Sequence, residues 1–294
     1  MQVLYGIKEN RVDVTDICLT KLTHNNTITI PADDNNRACI FNDHLVGIVK
    51  SIFIIINDTE FEYDQTYIIK INIDYSIINT QCDNDINNKM TNIHGNLKIK
   101  YGYLNEELPE QKMVIRYLTG NEKVLELGSN IGRNSLVIAS IVKGENFVTM
   151  ECDVNIAKQL EENRDLNNYT FRIESSALSK RKLIQRGWDT IPSDVLEWGY
   201  KWINTISFDE LQLKYNIEFD TLILDCEGAL YFMLMDMPEI LNNIKLVIME
   251  NDYHDITHKE YVDSILKKYN FHNDYREAGG WGCCYNNFFE VWIR

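Results

Sequence analysis

The sequence predicts an α/β protein: a doubly wound parallel sheet with helices on both faces, preceded by a small all-β, sandwich-like N-terminal domain. Short β-branched runs dominate the first part of the chain, whereas strand-like and helix-like segments alternate beyond Leu97. The chain has 294 residues, 45% of them hydrophobic, which is enough to bury a full core. We therefore expect a β-rich accessory domain over 1–84, a linker over 85–96 and an α/β domain over 97–294.

Polar clusters divide the N-terminal part into short strands. PADDNN and NDTE, which are typical of turns, separate β-branched runs such as TITI and CIFN. The run Ile52–Ile56 is apolar at every position, so it needs cover on both faces, as in a sandwich core or a docked interface. The asparagine-rich text that follows, NTQCDNDINNKMTNIHGN, shows no period and predicts the domain junction.

The C-terminal part predicts five buried strands with helices between them. This alternation is typical of a parallel sheet, in which ligands bind at the carboxyl ends of the strands. The text from Tyr285 to Ile293 predicts a further strand that returns antiparallel to the sheet edge. The predicted strands are Lys123–Leu127, Asn146–Glu151, Thr170–Glu174, Thr221–Asp225 and Leu246–Glu250, and the predicted helices are Asn134–Val142, Ile156–Leu166 and Met237–Asn242.

Charge and cysteine usage exclude several classes of protein. A formal net charge of −15 argues against nucleic-acid binding, which depends on many lysines and arginines. No apolar run is long enough for a membrane span and the start lacks the pattern of a signal peptide, so we expect a cytoplasmic protein. Seven cysteines without a C-x-x-C pair predict neither a disulfide framework nor a zinc site.

The turn after the first predicted strand indicates a nucleoside ligand. In LELGSNIG, Gly128 and Gly132 flank Asn130, which stands where a dinucleotide-binding loop would carry a glycine, and the acid Glu126 precedes the turn. A ligand without a pyrophosphate but with positive charge suits this arrangement. S-adenosylmethionine has both features, so we predict that these four residues bind it.

Residues at the next two strand ends extend the predicted cofactor site. Glu151 follows Gly132 by nineteen residues, and an acid at a strand tip can accept both ribose hydroxyls. Ser175 and Ser176 end the third strand and are predicted neighbours of the adenine.

Acids at the fourth and fifth strand ends predict the chemistry. Methyl transfer to a hydroxyl requires alignment and removal of the acceptor proton. One hypothesis is a magnesium site formed by Asp225, Glu250 and Asp252. The other is metal-free, with Asp225 or His254 as the base and Glu227 holding the acceptor; Asp225 would also contact the cofactor.

The order of these motifs resembles the FkbM family of class I S-adenosylmethionine-dependent methyltransferases, over about residues 101–254. The matching segments are ELGSNIG at 126–132, MECD at 150–153, ENRDLNN at 162–168, SALSKR at 176–181, TISFDEL at 205–211, LDCEGAL at 224–230 and VIMENDYH at 247–254. The resemblance implies a Rossmann-like methyltransferase sheet and O-methylation of a sugar hydroxyl of a glycan or glycoconjugate.

Several alternatives remain open at this point. The acceptor could be a hydroxyl of a non-sugar small molecule, or the N-terminal β domain could carry the main role by binding a glycan or a partner protein. That domain could also form a homo-oligomer. Four aromatic residues could stack on a sugar or simply pack as core and lid. They are Trp188, Trp198, Tyr200 and Trp202.

Overall fold

The computed structural model of the protein describes residues 1–24, 26–73 and 77–294, so residues 25 and 74–76 of the predicted β-rich domain lie outside it. Within the described residues, the N-terminal unit contains eight strands and two short helices. The strands are β1 Gln2–Ile7, β2 Asn10–Asp13, β3 Thr23–His24, β4 Thr27–Ile30, β5 Ser51–Ile56, β6 Thr59–Tyr63, β7 Tyr67–Asn72 and β8 Ile77–Cys82, and the helices are α1 Thr15–Lys21 and α2 Asp34–Phe41.

Two antiparallel sheets of four strands form the N-terminal unit, in the orders β2-β1-β5-β6 and β3-β4-β7-β8. Ile52 and Ile54 of β5 share one apolar core with Ile69 of β7, as in a sandwich. On the opposite face of β5, the guanidinium of Arg11 lies 3.7 Å from the centre of the Phe53 ring. The apolar run of β5 is therefore covered on both faces, as predicted.

The structure corrects two N-terminal predictions. The text ADDNN leads into helix α2 rather than a turn, because the Asp33 side chain accepts hydrogen bonds from the amides of Asn35 and Asn36. The text CIFN, predicted as a strand, therefore lies at the end of this helix, which stops at Phe41. The predicted linker lies within helix α3, Asp83–Asn96. Its buried residues Ile86 and Met90 are four apart and join the core of the C-terminal unit.

The C-terminal unit holds the other elements of the described chain. Its helices are α4 Leu108–Tyr117, α5 Arg133–Ile141, α6 Val154–Leu166, α7 Phe208–Tyr215, α8 Leu230–Asp236 and α9 Ile256–Lys268. Its strands are β9 Val124–Leu127, β10 Phe147–Met150, β11 Arg172–Glu174, β12 Ala177–Leu178, β13 Leu183–Arg186, β14 Asp189–Pro192, β15 Lys201–Ile203, β16 Thr205–Ile206, β17 Thr221–Leu224, β18 Leu246–Glu250, β19 His272–Glu277 and β20 Phe289–Ile293.

Seven of these strands form one doubly wound, Rossmann-like sheet in the order β11-β10-β9-β17-β18-β20-β19, which confirms the predicted fold class. The first five are parallel, whereas β20 is antiparallel to both of its neighbours. The returning C-terminal strand thus lies inside the sheet, and not at its edge as predicted. Because crossover connections are right-handed, the helices after β9 and β10 cover one face and α8 covers the other.

A small antiparallel sheet is inserted between β11 and α7. It consists of three strands in the order β14-β13-β15. The strands that precede and follow it in the chain, β12 and β16, form a short parallel pair. We call Leu183–Ile203 the flap. Lys201 of the flap forms an ion pair with Asp153 and so attaches the flap to the segment after β10.

The N-terminal unit packs against β19, the edge strand of the large sheet. Lys70 forms an ion pair of 2.7 Å with Asp274, and the rings of His24 and His272 stack with centroids 3.5 Å apart. These contacts attach the N-terminal unit to the edge of the large sheet. Among the described helices, none combines the length and the apolar character that crossing a membrane requires.

Candidate active site

A cleft of about 400 Å³ lies over the carboxyl ends of the parallel strands. It sits where the strand order reverses between β9 and β17, which is the position expected of a ligand site in a doubly wound sheet. Loops that follow β9, β10, β11, β17 and β18 contribute to its walls, and the flap forms one side. The volume falls within the range of small-molecule sites.

The turn after β9 brings the backbone into the cleft wall. The amides of Gly128 and Ser129 both donate to the carbonyl of Met150 at 3.1 Å, which fixes the turn against the end of β10. Gly128 has φ +84°, and a β carbon there would lie 1.5 Å from the carbonyl oxygen of Asp225. Only glycine therefore fits where these two loops meet.

Glu151 points into the cleft at the tip of β10. Its side chain is buried, and its two carboxylate oxygens accept hydrogen bonds from the backbone amides of Asn130 at 3.0 Å and Asp153 at 2.8 Å. These bonds fix the carboxylate in place, while its remaining lone pairs can accept hydroxyl groups. Burial raises the pKa of Glu151 above its usual range.

The part of the cleft beyond Glu151 is mostly apolar. Ile156, Leu178 and Leu183 line it, together with Ser176, whose hydroxyl donates to Glu174 at 3.0 Å. Flat apolar groups such as a nucleobase suit a slot of this composition.

Carboxyl groups crowd the opposite part of the cleft. One carboxylate oxygen from each of Asp225, Glu250 and Asp252 lies within 4.8 Å of the other two. Glu110, at the start of α4, also lines this part. Burial, followed by repulsion from neighbouring acids, raises the pKa of Asp225 and Glu250 far above the usual range of a carboxyl group.

Two oxygens of this acid cluster are buried without a partner among the described residues. They are Oδ1 of Asp252 and Oε2 of Glu110, both on side chains that are less than 10% exposed. No lysine, arginine or histidine is among the described residues that line the cleft; the nearby Arg133 is paired with Glu106 and Glu107. Hard cations prefer closely spaced carboxylate oxygens, so this donor set fits a divalent ion.

Aromatic residues flank the mouth of the cleft. Trp188 of the flap is 62% exposed and Trp281 is 42% exposed, and both contribute to the lining. Glu227 also lines the cleft, in the left-handed backbone region at φ 50°, where a non-glycine residue is uncommon. The remaining aromatic residues differ: Trp198 is 93% exposed, and Trp202 lies on the face of the flap that points away from the cleft.

Most predicted site residues line this cleft. Those that do are Gly128, Asn130, Glu151, Ser176, Asp225, Glu227, Glu250 and Asp252. The proposed magnesium ligands in particular come together at the tips of two neighbouring strands.

Four predicted residues do not line the cleft, within the described part of the chain. Glu126 is buried beneath it and accepts hydrogen bonds from Ser135 of α5 and Thr149 of β10, so it links β9 to these two elements. Gly132 is the N-cap residue of α5, and Ser175 alternates away from Ser176. His254 is exposed at the edge of the cleft, with its ring centre 4.4 Å from that of Trp281.

Sequence reasoning missed Glu107, Glu110, Gln185 and Trp281, all of which line the cleft. Glu107 and Glu110 lie three apart at the start of α4, before the first strand of the sheet, and a search for acids at helix starts could have found them. Gln185 and Trp281 belong to the flap and to the segment before β20, for which local sequence gives no comparable signal.

The chain resembles solved structures only distantly. The ribosomal protein L11 methylase from Lactobacillus delbrueckii subsp. bulgaricus is 12% identical, with a TM-score of 0.42 over 67% of this chain and 81% of that one. An O-methyltransferase from Bacillus cereus in complex with SAH is 13% identical, with a TM-score of 0.39 over 72% of this chain and 90% of that one. A putative RNA methyltransferase from Pyrococcus horikoshii is 11% identical, with a TM-score of 0.42 over 71% and 95%.

No family model and no curated protein matches the chain.

Proposed function

We propose that this protein is an S-adenosylmethionine-dependent O-methyltransferase whose acceptor is a sugar hydroxyl of a glycan or glycoconjugate. The observation that carries the proposal is the composition of the cleft: Glu151 lies at the tip of β10, and a group of acids faces it at the tips of β17 and β18. A nucleoside held at Glu151 would direct a positively charged sulfur toward the acid-rich part of the cleft around Asp225, whose oxygen atoms favour a positive charge.

The residues fit the cofactor in three respects. The carboxylate of Glu151 is oriented by two backbone amides and keeps lone pairs for ribose hydroxyls. Gly128 and Asn130 bring backbone to the cleft wall beside it, and the apolar slot accommodates a base. When bound, S-adenosylmethionine supplies an electrophilic methyl group on a sulfonium.

A divalent cation is part of the proposal, with Asp225, Glu250 and Asp252 as its ligands. The unpartnered oxygen of Asp252 and the lack of a cationic side chain in the described lining support it. When bound, magnesium lowers the pKa of a coordinated hydroxyl. Glu227 lines the cleft outside this triad, and we assign it the acceptor hydroxyl and its proton. Partial burial and the nearby Asp252 raise the pKa of Glu227 above its usual range, which strengthens it as a base.

The sugar acceptor is supported by the mouth of the cleft. Trp188 and Trp281 both line the cleft and have exposed rings, and aromatic rings bind the apolar faces of sugars. The FkbM resemblance supports the same class of acceptor.

Ligand-dependent melting tests the cofactor assignment. A ligand that binds the native state raises the melting temperature, so S-adenosylmethionine and S-adenosylhomocysteine should stabilise the protein and NAD should not. Stabilisation by NAD alone would overturn the assignment. The acceptor is tested by mass spectrometry of glycosides incubated with labelled cofactor, in which the expected product gains one methyl group on a hydroxyl.

Chelation tests the metal separately. Incubation with EDTA followed by gel filtration should reduce turnover, and added Mg²⁺ should restore it, because the bound ion activates the acceptor. Full turnover after chelation would favour the metal-free hypothesis, in which a carboxylate alone removes the proton.

A further inference from the structure

Gln185 contributes a buried amide side chain to the wall of the cleft. It lies on β13 of the flap, is 6% exposed and lines the cleft. Its Nε2 donates to Sγ of Cys152 at 3.2 Å, whereas its Oε1 is buried and has no partner among the described residues. An unpaired buried oxygen costs about 1–3 kcal/mol, so such a group calls for an explanation.

The amide lies in the part of the cleft that would hold the base of a nucleoside. Cys152, to which it donates, directly follows Glu151, the residue assigned to the ribose. A base attached to that ribose must extend either toward the acid cluster or into the apolar slot. The slot is the favourable choice, because a neutral aromatic ring gains from contact with Ile156 and Leu183.

The hydrogen-bonding groups of Gln185 match those of adenine. An amide side chain can accept from the exocyclic amine of adenine through its oxygen and donate to a ring nitrogen through its NH₂ group. Here the oxygen is free, and the NH₂ group is committed only to a sulfur atom, which is a weak acceptor. The nearby Ser176 hydroxyl already donates to Glu174.

We propose that Gln185 Oε1 accepts a hydrogen bond from the 6-amino group of the adenine ring, so that the flap, and not the large sheet, sets the base specificity of the cofactor site. This inference rests on the proposed function. A 6-oxo base would place a carbonyl oxygen against Oε1 and lose the bond, and turning the amide over would break its bond to Cys152, so the site favours adenosine over inosine derivatives.

Calorimetric titration of the full chain with two ligands tests the proposal. S-adenosylhomocysteine carries the 6-amino group, and S-inosylhomocysteine carries a 6-oxo group in its place. The wild-type protein should bind the adenosine compound at least about 10-fold more tightly, which is the scale of one buried hydrogen bond. In Gln185→Met, which keeps the length of the side chain, the two affinities should differ by less than about 3-fold.

Gln212→Met is the matched control, because Gln212 lies on α7 and is not among the described residues of the cleft; this variant should keep the wild-type preference. Thermal melting verifies that both variants are folded. If the folded wild-type protein binds neither compound, the proposed function fails. Two results would overturn the role of Gln185 while the cofactor assignment stands. In one, the wild-type protein binds the adenosine compound and Gln185→Met keeps the full preference for it. In the other, the wild-type protein prefers the inosine compound.

Discussion

At Gly128 two backbone segments, the turn after β9 and the end of β17, lie in close contact. The turn after β9 passes so close to Asp225 that a β carbon at Gly128 would lie 1.5 Å from its carbonyl oxygen. The obstacle is backbone and cannot rotate away. This contact aligns the turn after β9 with the end of β17, so the position of Asp225 relative to that turn depends on one glycine.

Gly128→Ala should destabilise the protein by more than about 4 kcal/mol or prevent folding, because steric overlap adds to the strain of positive φ. Gly47→Ala is the matched control. Gly47 has a similar φ of +80° but nothing within 4 Å of its added β carbon, so it should cost only about 1 kcal/mol. Urea unfolding of the two variants measures the difference; equal losses would mean that the backbone contact is relieved without cost.

A second prediction at this scale concerns Asp225. Asp225→Asn removes a proposed metal ligand, so turnover should fall by about 100-fold or more. The affinity for S-adenosylhomocysteine should stay within about 2-fold, because the proposed cofactor contacts come from Glu151 and the apolar slot. The exposed Asp209→Asn serves as the control and should leave both quantities unchanged. A large loss of cofactor affinity in Asp225→Asn would mean that its role lies in cofactor binding.

The flap is the element that distinguishes this site from a bare doubly wound sheet. Leu183 and Gln185 on one face of β13 line the cleft, whereas Ile184 between them is buried on the other face. This alternation allows a three-stranded sheet to form a cleft wall and a small core at once. The pairing of Lys201 with Asp153 and of Gln185 with Cys152 attaches the flap to the segment after β10.

Trp188 at the flap tip should act on the acceptor and not on the cofactor. In Trp188→Ala we expect the KM for a glycoside acceptor to rise about 3- to 10-fold, as loss of one aromatic contact would cause, with the Kd for S-adenosylhomocysteine unchanged. Trp198→Ala provides the comparison, since Trp198 is 93% exposed and does not line the cleft. An equal rise of KM in both variants would contradict a specific role for Trp188.

The N-terminal unit contacts the C-terminal unit at strand β19. The ion pair of Lys70 with Asp274 is supported by Tyr117, whose hydroxyl donates to the same carboxylate at 2.7 Å. Beside it, the imidazoles of His24 and His272 stack at 3.5 Å. Burial and the neighbouring His24 lower the pKa of His272, so protonation of His272 opposes this packing.

Stability should therefore fall as the pH drops through about 6.5. Burial, and secondarily His24, lower the pKa of His272, with Asp274 opposing and Lys70 adding to the shift. The native state thus binds fewer protons than the unfolded chain below pH 6.5, the ordinary value for histidine, and the free energy of unfolding declines there. Urea unfolding between pH 7.5 and about 5 measures this slope.

His272→Asn should flatten that slope, while His258→Asn, made on α9 where His258 stacks on Tyr231, should preserve it. An unchanged slope in His272→Asn would mean that other groups govern the acid sensitivity.

The sequence alone determined the parallel core of the fold and the residues at its strand tips. Each central strand is a short apolar run, and β18 was predicted at Leu246–Glu250, its observed bounds. Because parallel strands all end at the same edge of the sheet, the order of the chain was sufficient to bring Asp225, Glu250 and Asp252 together. The local pattern fixed this part because burial and periodicity are properties of single segments.

Only the tertiary structure decided what depends on contacts between distant segments. Glu126 and Glu151 both stand at or near strand ends, yet the packing of α5 on the sheet buries the first under Ser135 and leaves the second in the cleft. The asparagine-rich junction forms helix α3 because Ile86 and Met90 pack into the core of the C-terminal unit. Strand β20 pairs with β18 inside the sheet, and Gln185 of the flap donates a hydrogen bond to Cys152. In both places burial and hydrogen bonding between distant segments outweigh the weak secondary-structure preference of the local sequence.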